Sequence, residues 1–188
     1  MSSRRTLTLL MGFTLLACGA YAQSDFDEHV ASIRDTGMTE RARGDVRMVA
    51  GILAGTTTFE ARWAPDGSVG HSYGGPERGG SVPTQDQLRT RAAAAESWTD
   101  FLKTQADTDR SGFVSTEEGH ALRRMIELAL VAEQLNLRSL EELDRARPQF
   151  ASDAQQDLAA YSALRAEAVK AGLIGMPALP DGLKVTSR

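Results

Sequence analysis

The chain has one cysteine, Cys18, in 188 residues. No intrachain disulfide can hold it together, and packing or a bound ion has to supply that stability. Aromatic residues make up 6%; with alanine abundant in the second half, this argues against a large β-sandwich and for aliphatic contacts between helices. No apolar run reaches the roughly 20 residues that a membrane-crossing helix needs. The three histidines, His29, His71 and His120, fall into neither an HxxxH nor an HExxH spacing, so a zinc-hydrolase pattern is excluded and they read as surface groups. The glycines at 74, 75, 79 and 80 are not followed by Gly-Lys-Ser/Thr, which excludes a phosphate loop.

What is present begins with a leader. Arg4 and Arg5 precede an apolar run over 7–17 and the small residues Cys18, Gly19 and Ala20, the basic, apolar, small order of an export signal. Ala20-Tyr21-Ala22 is the favoured cleavage site, giving a signal over 1–22. Leu15-Leu16-Ala17-Cys18 resembles a lipoprotein box, which makes a lipid anchor at Cys18 the second reading. The expectation is an exported protein, periplasmic or secreted, with no transmembrane segment. The full chain carries a net charge of −4; removing 1–22 takes away two Arg and no acid and leaves −6, a balance that disfavours nucleic acid as a partner.

The region 23–83 is expected to hold short helices and one hairpin. Phe26, Val30 and Ile33 recur at helical spacing; over 39–54, Val46, Val49 and Leu53 suit a helix and Val46, Met48, Ala50 and Ile52 equally suit a strand, and helix is the reading taken. Residues 57–63 alternate, Pro65-Asp66-Gly67 supplies a turn, and 69–73 completes a β-hairpin. A stretch rich in glycine and proline then leads to Thr84-Gln85-Asp86-Gln87, a capping box opening a long helix. That helix carries a stripe of Leu88, Ala92, Ala95, Trp98, Phe101 and Leu102, predicted to face the next helix.

The next helix starts near Thr116 and presents Leu122, Met125, Ile126, Ala129 and Leu130 on one face. The Arg123-Arg124 pair on it is assigned to the solvated side. Ser139-Leu140-Glu141-Glu142 opens a short helix that stops before Pro148. A last helix over about 152–171 buries Leu158, Tyr161, Leu164 and Ala168, and Gly172 ends it. The helical domain is placed at 84–175, with an irregular tail at 176–188.

Between the long helix and its successor lies Asp107-Thr108-Asp109-Arg110-Ser111-Gly112-Phe113-Val114-Ser115-Thr116-Glu117-Glu118. Asp107, Asp109 and Ser111 put short oxygen side chains at alternate positions, as a hard cation wanting six to eight oxygens requires. Gly112 permits a sharp turn, after which Phe113 offers only its backbone carbonyl. Ser115 reaches the ion directly or through water, and Glu118, in the first turn of the following helix, closes the site with two oxygens. Ser115 and Glu118 also make an ordinary capping box, but a plain turn has no need of two Asp, an oxygen at the fifth position, glycine at the sixth and an apolar residue at the eighth.

This segment resembles the calcium loop of the EF-hand superfamily, of the calmodulin type. The resemblance implies a mainly α fold, an EF-hand helix-loop-helix packed with C-terminal helices plus a small N-terminal helical and β-hairpin region. It implies Ca2+ as the cofactor, with Asp107, Asp109, Ser111, Phe113, Ser115 and Glu118 as its ligands, and pairing of Val114 with another loop. Three carboxylates and an arginine within the loop point to weak binding, in the range of roughly 0.1 to 1 mM found in extracellular modules.

A twin loop would fall near 144–155. There Ala146, Pro148 and Gln149 deny the ligands and the turn, so no second calcium is expected. The C-terminal helices are expected to cover the apolar face of the hand; uncovered, that face would take a protein partner or a second copy of the chain. The leading reading is a non-enzymatic exported calcium-binding protein in a structural or low-affinity sensing role. One alternative is a calcium-stabilised scaffold or adaptor for another envelope protein, and another is a hydrolase working near 63–73, where no catalytic group supports it.

Overall fold

The computed structural model describes residues 36–75 and 83–184. The leader over 1–22 with Cys18, the helix expected around Phe26 to Ile33, His29 and the glycine- and proline-rich stretch at 76–82 lie outside the described residues. The rest is mainly helical with one small antiparallel hairpin. In chain order come α1 (Glu40–Leu53), β1 (Thr58–Trp63), β2 (Val69–Gly74), α2 (Gln85–Ala106), α3 (Thr116–Gln134), α4 (Leu140–Ala146) and α5 (Ala154–Lys170), with single 3-10 turns at Pro148–Phe150 and Asp181–Leu183. Among the described residues no helix is long and apolar enough to cross a membrane.

α3 is the central element. Its first half buries the expected face through Leu122 and Ile126, but from Glu127 to Ala132 every residue is buried, so this half lies inside the protein rather than on it. α1 packs along one side of α3 and α5 along the other, and β1 crosses its C-terminal half. One apolar core runs through Val46 and Val49 of α1, Trp98 and Leu102 of α2, Ile126 and Val131 of α3, and Leu158 and Tyr161 of α5. The C-terminal residues Met176, Leu179 and Leu183 join it. The Tyr161 hydroxyl donates to the Pro177 carbonyl at 2.7 Å, which ties the irregular tail to α5.

The helix expected over 39–54 forms, with Thr39 as its cap, accepting from the Ala42 amide at 3.1 Å. Both bonds of the Thr84 capping box are formed. The hairpin pairs Phe59 with Tyr73, Ala61 with His71 and Trp63 with Val69. Gln134 of α3 holds β1 in place of a third strand: its amide nitrogen donates to the Phe59 carbonyl and its oxygen accepts from the Ala61 amide, both at 2.8 Å. That satisfies part of an otherwise open strand edge.

Three expectations are corrected. The α2 stripe is buried only at Trp98, Leu102 and Ala106, while Leu88 and Ala92 are exposed; α2 lies mainly against α1 rather than α3, and its N-terminal half extends past the core. At α4, Ser139 accepts from the Glu142 amide, but the Glu142 carboxylate takes the Arg138 amide at 2.6 Å, so the box is half formed. The Arg123-Arg124 pair is not on a solvated face. Arg123 bonds the buried Asp45 and Glu127, and Arg124 forks onto Asp157 at 2.6 and 3.0 Å, because the acids that need these cations lie on elements packed against α3.

Candidate metal centre

The loop between α2 and α3 is built by two helix ends. Asp107 is the C-cap of α2, and Ser115 is the N-cap of α3 with a complete capping box to Glu118. The chain must reverse between them in seven residues, and it does so with two left-handed residues, Arg110 at φ 57° and Gly112 at φ 80°. Glycine takes such a conformation freely. Arginine takes it at a cost of roughly 1 to 2 kcal/mol, so the loop tolerates local strain at its fourth position.

Hydrogen bonds hold the acids in place. Asp107 accepts from the Ser111 amide through Oδ1 and from the Gly112 amide through Oδ2, both at 2.9 Å. Asp109 accepts from the Ser111 amide at 3.0 Å. The Ser111 hydroxyl donates to the Phe113 carbonyl at 2.9 Å and lies 3.4 Å from Asp107 Oδ1. Glu118 is gripped on both oxygens: Oε1 by the amide and hydroxyl of Thr108 at 2.8 and 2.7 Å, Oε2 by the amide and hydroxyl of Ser115 at 3.0 and 3.1 Å. The structure thus brings together Asp107, Asp109 and Glu118, links Ser111 to Asp107 and to the Phe113 carbonyl, and joins Ser115 through Glu118.

One carboxylate oxygen from each of Asp107, Asp109 and Glu118 lies within 4.8 Å of the other two. Oxygens on opposite sides of a calcium ion, each about 2.4 Å from it, stand at most about 4.8 Å apart. The spacing and the all-oxygen donor set therefore fit a hard divalent cation. Burial pushes the Glu118 carboxyl up, but the bonds from Ser115 and Thr108 outweigh it and hold the group down at about 2. The Ser111 bonds hold Asp109 below the usual carboxylate range. Both acids are thus kept ionised at neutral pH, the form a cation needs.

Val114 pairs, but with a segment outside the expected one. Its amide donates to the Gly37 carbonyl at 2.9 Å and its carbonyl accepts from the Thr39 amide at 3.1 Å, a parallel bridge centred on Met38. The segment near 144–155 instead forms the end of α4, the turn at Pro148–Phe150 and the start of α5. The Thr39 and Thr116 hydroxyls meet at 3.0 Å. At Gly119 a side-chain carbon would stand 2.7 Å from the Ala42 Cα, so glycine lets α1 and α3 touch backbone to backbone. A signal for this pairing existed: Met38-Thr39-Glu40 repeats the apolar, hydroxyl-cap, helix order of Val114-Ser115-Thr116.

Two features of the loop were not legible in the sequence, the bonds made by Thr108 and the backbone conformation of Arg110. Thr108 offers no ligand, yet it supplies two of the bonds on Glu118; Arg110 occupies a left-handed position that its side chain does not favour. Comparison with family profiles, with curated proteins and with solved structures finds no match for this chain.

Proposed function

We propose that this is an exported calcium-binding protein of the EF-hand superfamily that holds one Ca2+ in the 107–118 loop and uses it to fix the α2–α3 corner. The observation that carries the reading is the convergence of Asp107, Asp109 and Glu118 within 4.8 Å beside the Ser111 hydroxyl and the Phe113 carbonyl. Ca2+ supplies positive charge to a loop whose three acids have no ion pair to Lys or Arg among the described residues. Asp107, Asp109 and Ser111 contribute single oxygens, Phe113 its carbonyl, Glu118 two oxygens and Ser115 a direct or water-bridged contact.

A structural role is favoured over a sensing one by the packing around the loop. Val114 is already paired within the chain, and Leu122 and Ile126 sit in one core with residues of α1, α2 and α5, so uncovering them as a sensor does would open the core of the protein. No catalytic function is proposed. An adaptor for another envelope protein is the companion reading, with the same ion serving as a rigid brace.

Unfolding of the 23–188 chain by urea, in EGTA and in 10 mM Ca2+, tests this. A site of about 0.1 mM would add roughly 2.7 kcal/mol at a hundredfold excess of ion, without a change in helix content. Equal stability in the two buffers would defeat the proposal. A large gain in helix or newly exposed apolar surface on binding would replace the structural role with a sensing one.

A further inference from the structure

We propose that the His71–Arg147 contact is an acid-released latch that holds strand β2 against the end of α4. It goes beyond the calcium site and rests on different residues. Arg147, the C-cap of α4, is 5% exposed, and its guanidinium lies 2.9 Å from His71 Nδ1. Arginine can only donate, so Nδ1 must accept and the imidazole must be neutral with its proton on Nε2. Among the described residues Arg147 has no carboxylate within ion-pair distance, and His71 is its one hydrogen-bond partner with a side chain on the hairpin.

The surroundings decide what acid does here. Facing His71 are Arg147 at the α4 end, Arg123 and Glu127 on α3, Tyr73 beside it on β2, whose ring meets the imidazole edge to face at 5.4 Å, and Phe59 on β1 at 5.9 Å. Glu127 is the one acid of the group, and it is already bonded to Arg123 at 2.5 Å and to the Tyr73 hydroxyl. Burial and the Arg147 charge therefore hold His71 below its ordinary value. Protonation removes the acceptor and sets an imidazolium against a buried guanidinium. β1 stays clamped by Gln134 and Tyr73 stays bonded to Glu127 and Arg123, so what loosens is β2 around His71.

The sign follows from linkage. The folded His71 resists protonation relative to the free side chain, whose value is about 6.5. Its contribution is complete above that value and is lost as pH falls through the folded one. The test is amide exchange of β2 in the 23–188 chain between pH 7 and 5.5, corrected for the intrinsic pH dependence, with histidine nitrogen shifts read in parallel. Wild type should open about fivefold more often at pH 5.5, while His71→Gln, which keeps a neutral acceptor, should show no such rise. His71 should carry its proton on Nε2 at pH 7. Equal acid dependence in both chains, no rise in wild type, or a proton on Nδ1 at pH 7 would each overturn the latch.

Discussion

Two groups of acids, one in the loop and one buried around α3, are handled in opposite ways by the same fold. Asp45, Glu127 and Asp157 are buried and each meets an arginine: Asp45 with Arg123 at 2.9 Å, Glu127 with Arg123 at 2.5 Å, Asp157 with Arg124 at 2.6 Å. Asp107, Asp109 and Glu118 are clustered at the surface, and their hydrogen bonds come from neutral amides and hydroxyls. A buried carboxylate has to be neutralised by the protein, because leaving water costs it several kcal/mol. A clustered set at the surface can leave that task to a cation from solution. The difference separates acids that build the fold from acids that are free to bind.

Removing the shared cation of the buried group should have the largest effect. Arg123→Met leaves Asp45 with His120 and Glu127 with the Tyr73 hydroxyl as remaining partners but without their arginine, and should cost about 3 to 5 kcal/mol, read as a lowered urea midpoint with or without Ca2+. Burial pushes the Arg123 guanidinium down, but its bonds to Glu127, Asp45 and Tyr73 hold it above its ordinary value, so this charge stays on across the accessible pH range. Loss of stability only in the presence of Ca2+ would erase the distinction between the two groups.

The loop should respond in the other sense. Glu118→Gln keeps one accepting oxygen for the Ser115 side of the capping box but loses the second acceptor and the charge of a two-oxygen ligand, and should raise the calcium Kd at least tenfold, about 1.4 kcal/mol. Its stability in EGTA should fall by about 1 kcal/mol, from the bonds that one Glu118 oxygen accepts and an amide nitrogen cannot, well short of the loss in Arg123→Met. A fall of several kcal/mol in EGTA would mean that Glu118 builds the fold as Glu127 does.

Acid gives a third contrast. Glu118 is depressed to about 2 in the folded chain, so its contribution is present above the free value near 4.3 and is lost as pH falls toward 2. An acid titration of the calcium-free chain followed by circular dichroism should show stability declining through that window. A carboxyl signal from Glu118 titrating near 4.3 in the folded protein would contradict the grip of Thr108 and Ser115.

The smallest expected effect is at Arg110. Glycine there relieves roughly 1 to 2 kcal/mol of left-handed strain and gives back about 0.5 to 1 kcal/mol of unfolded-chain entropy. Arg110→Gly should therefore stabilise by about 0.5 kcal/mol and tighten calcium slightly by removing a positive charge. A destabilised variant in a two-buffer melt would show that the arginine makes a contact of its own.

The loop was the most legible part of the chain because its chemistry is local: twelve consecutive residues hold every proposed ligand, and the capping boxes at Thr84 and Ser115 mark where the helices begin. The hairpin was legible for the same reason, through alternation and Pro65-Asp66-Gly67. Contacts between distant segments were not. Nothing in the α3 sequence says that Arg123 and Arg124 point toward Asp45 and Asp157, 78 and 33 positions away, since charged residues on a helix ordinarily face water. The pairing of Val114 with Met38 was hidden because the partner lies upstream and supplies backbone and an apolar side chain with no calcium ligand to mark it.

Equilibrium dialysis of the 23–188 chain against Ca2+, with metal and protein counted at saturation, tests the central claim most directly. The account predicts one ion per chain at saturation for wild type and for Arg110→Gly, and, at the free calcium that half-saturates wild type, about a tenth of an ion or less per folded Glu118→Gln chain. No bound ion in wild type at several millimolar free calcium, or equal occupancy in Glu118→Gln, would contradict it.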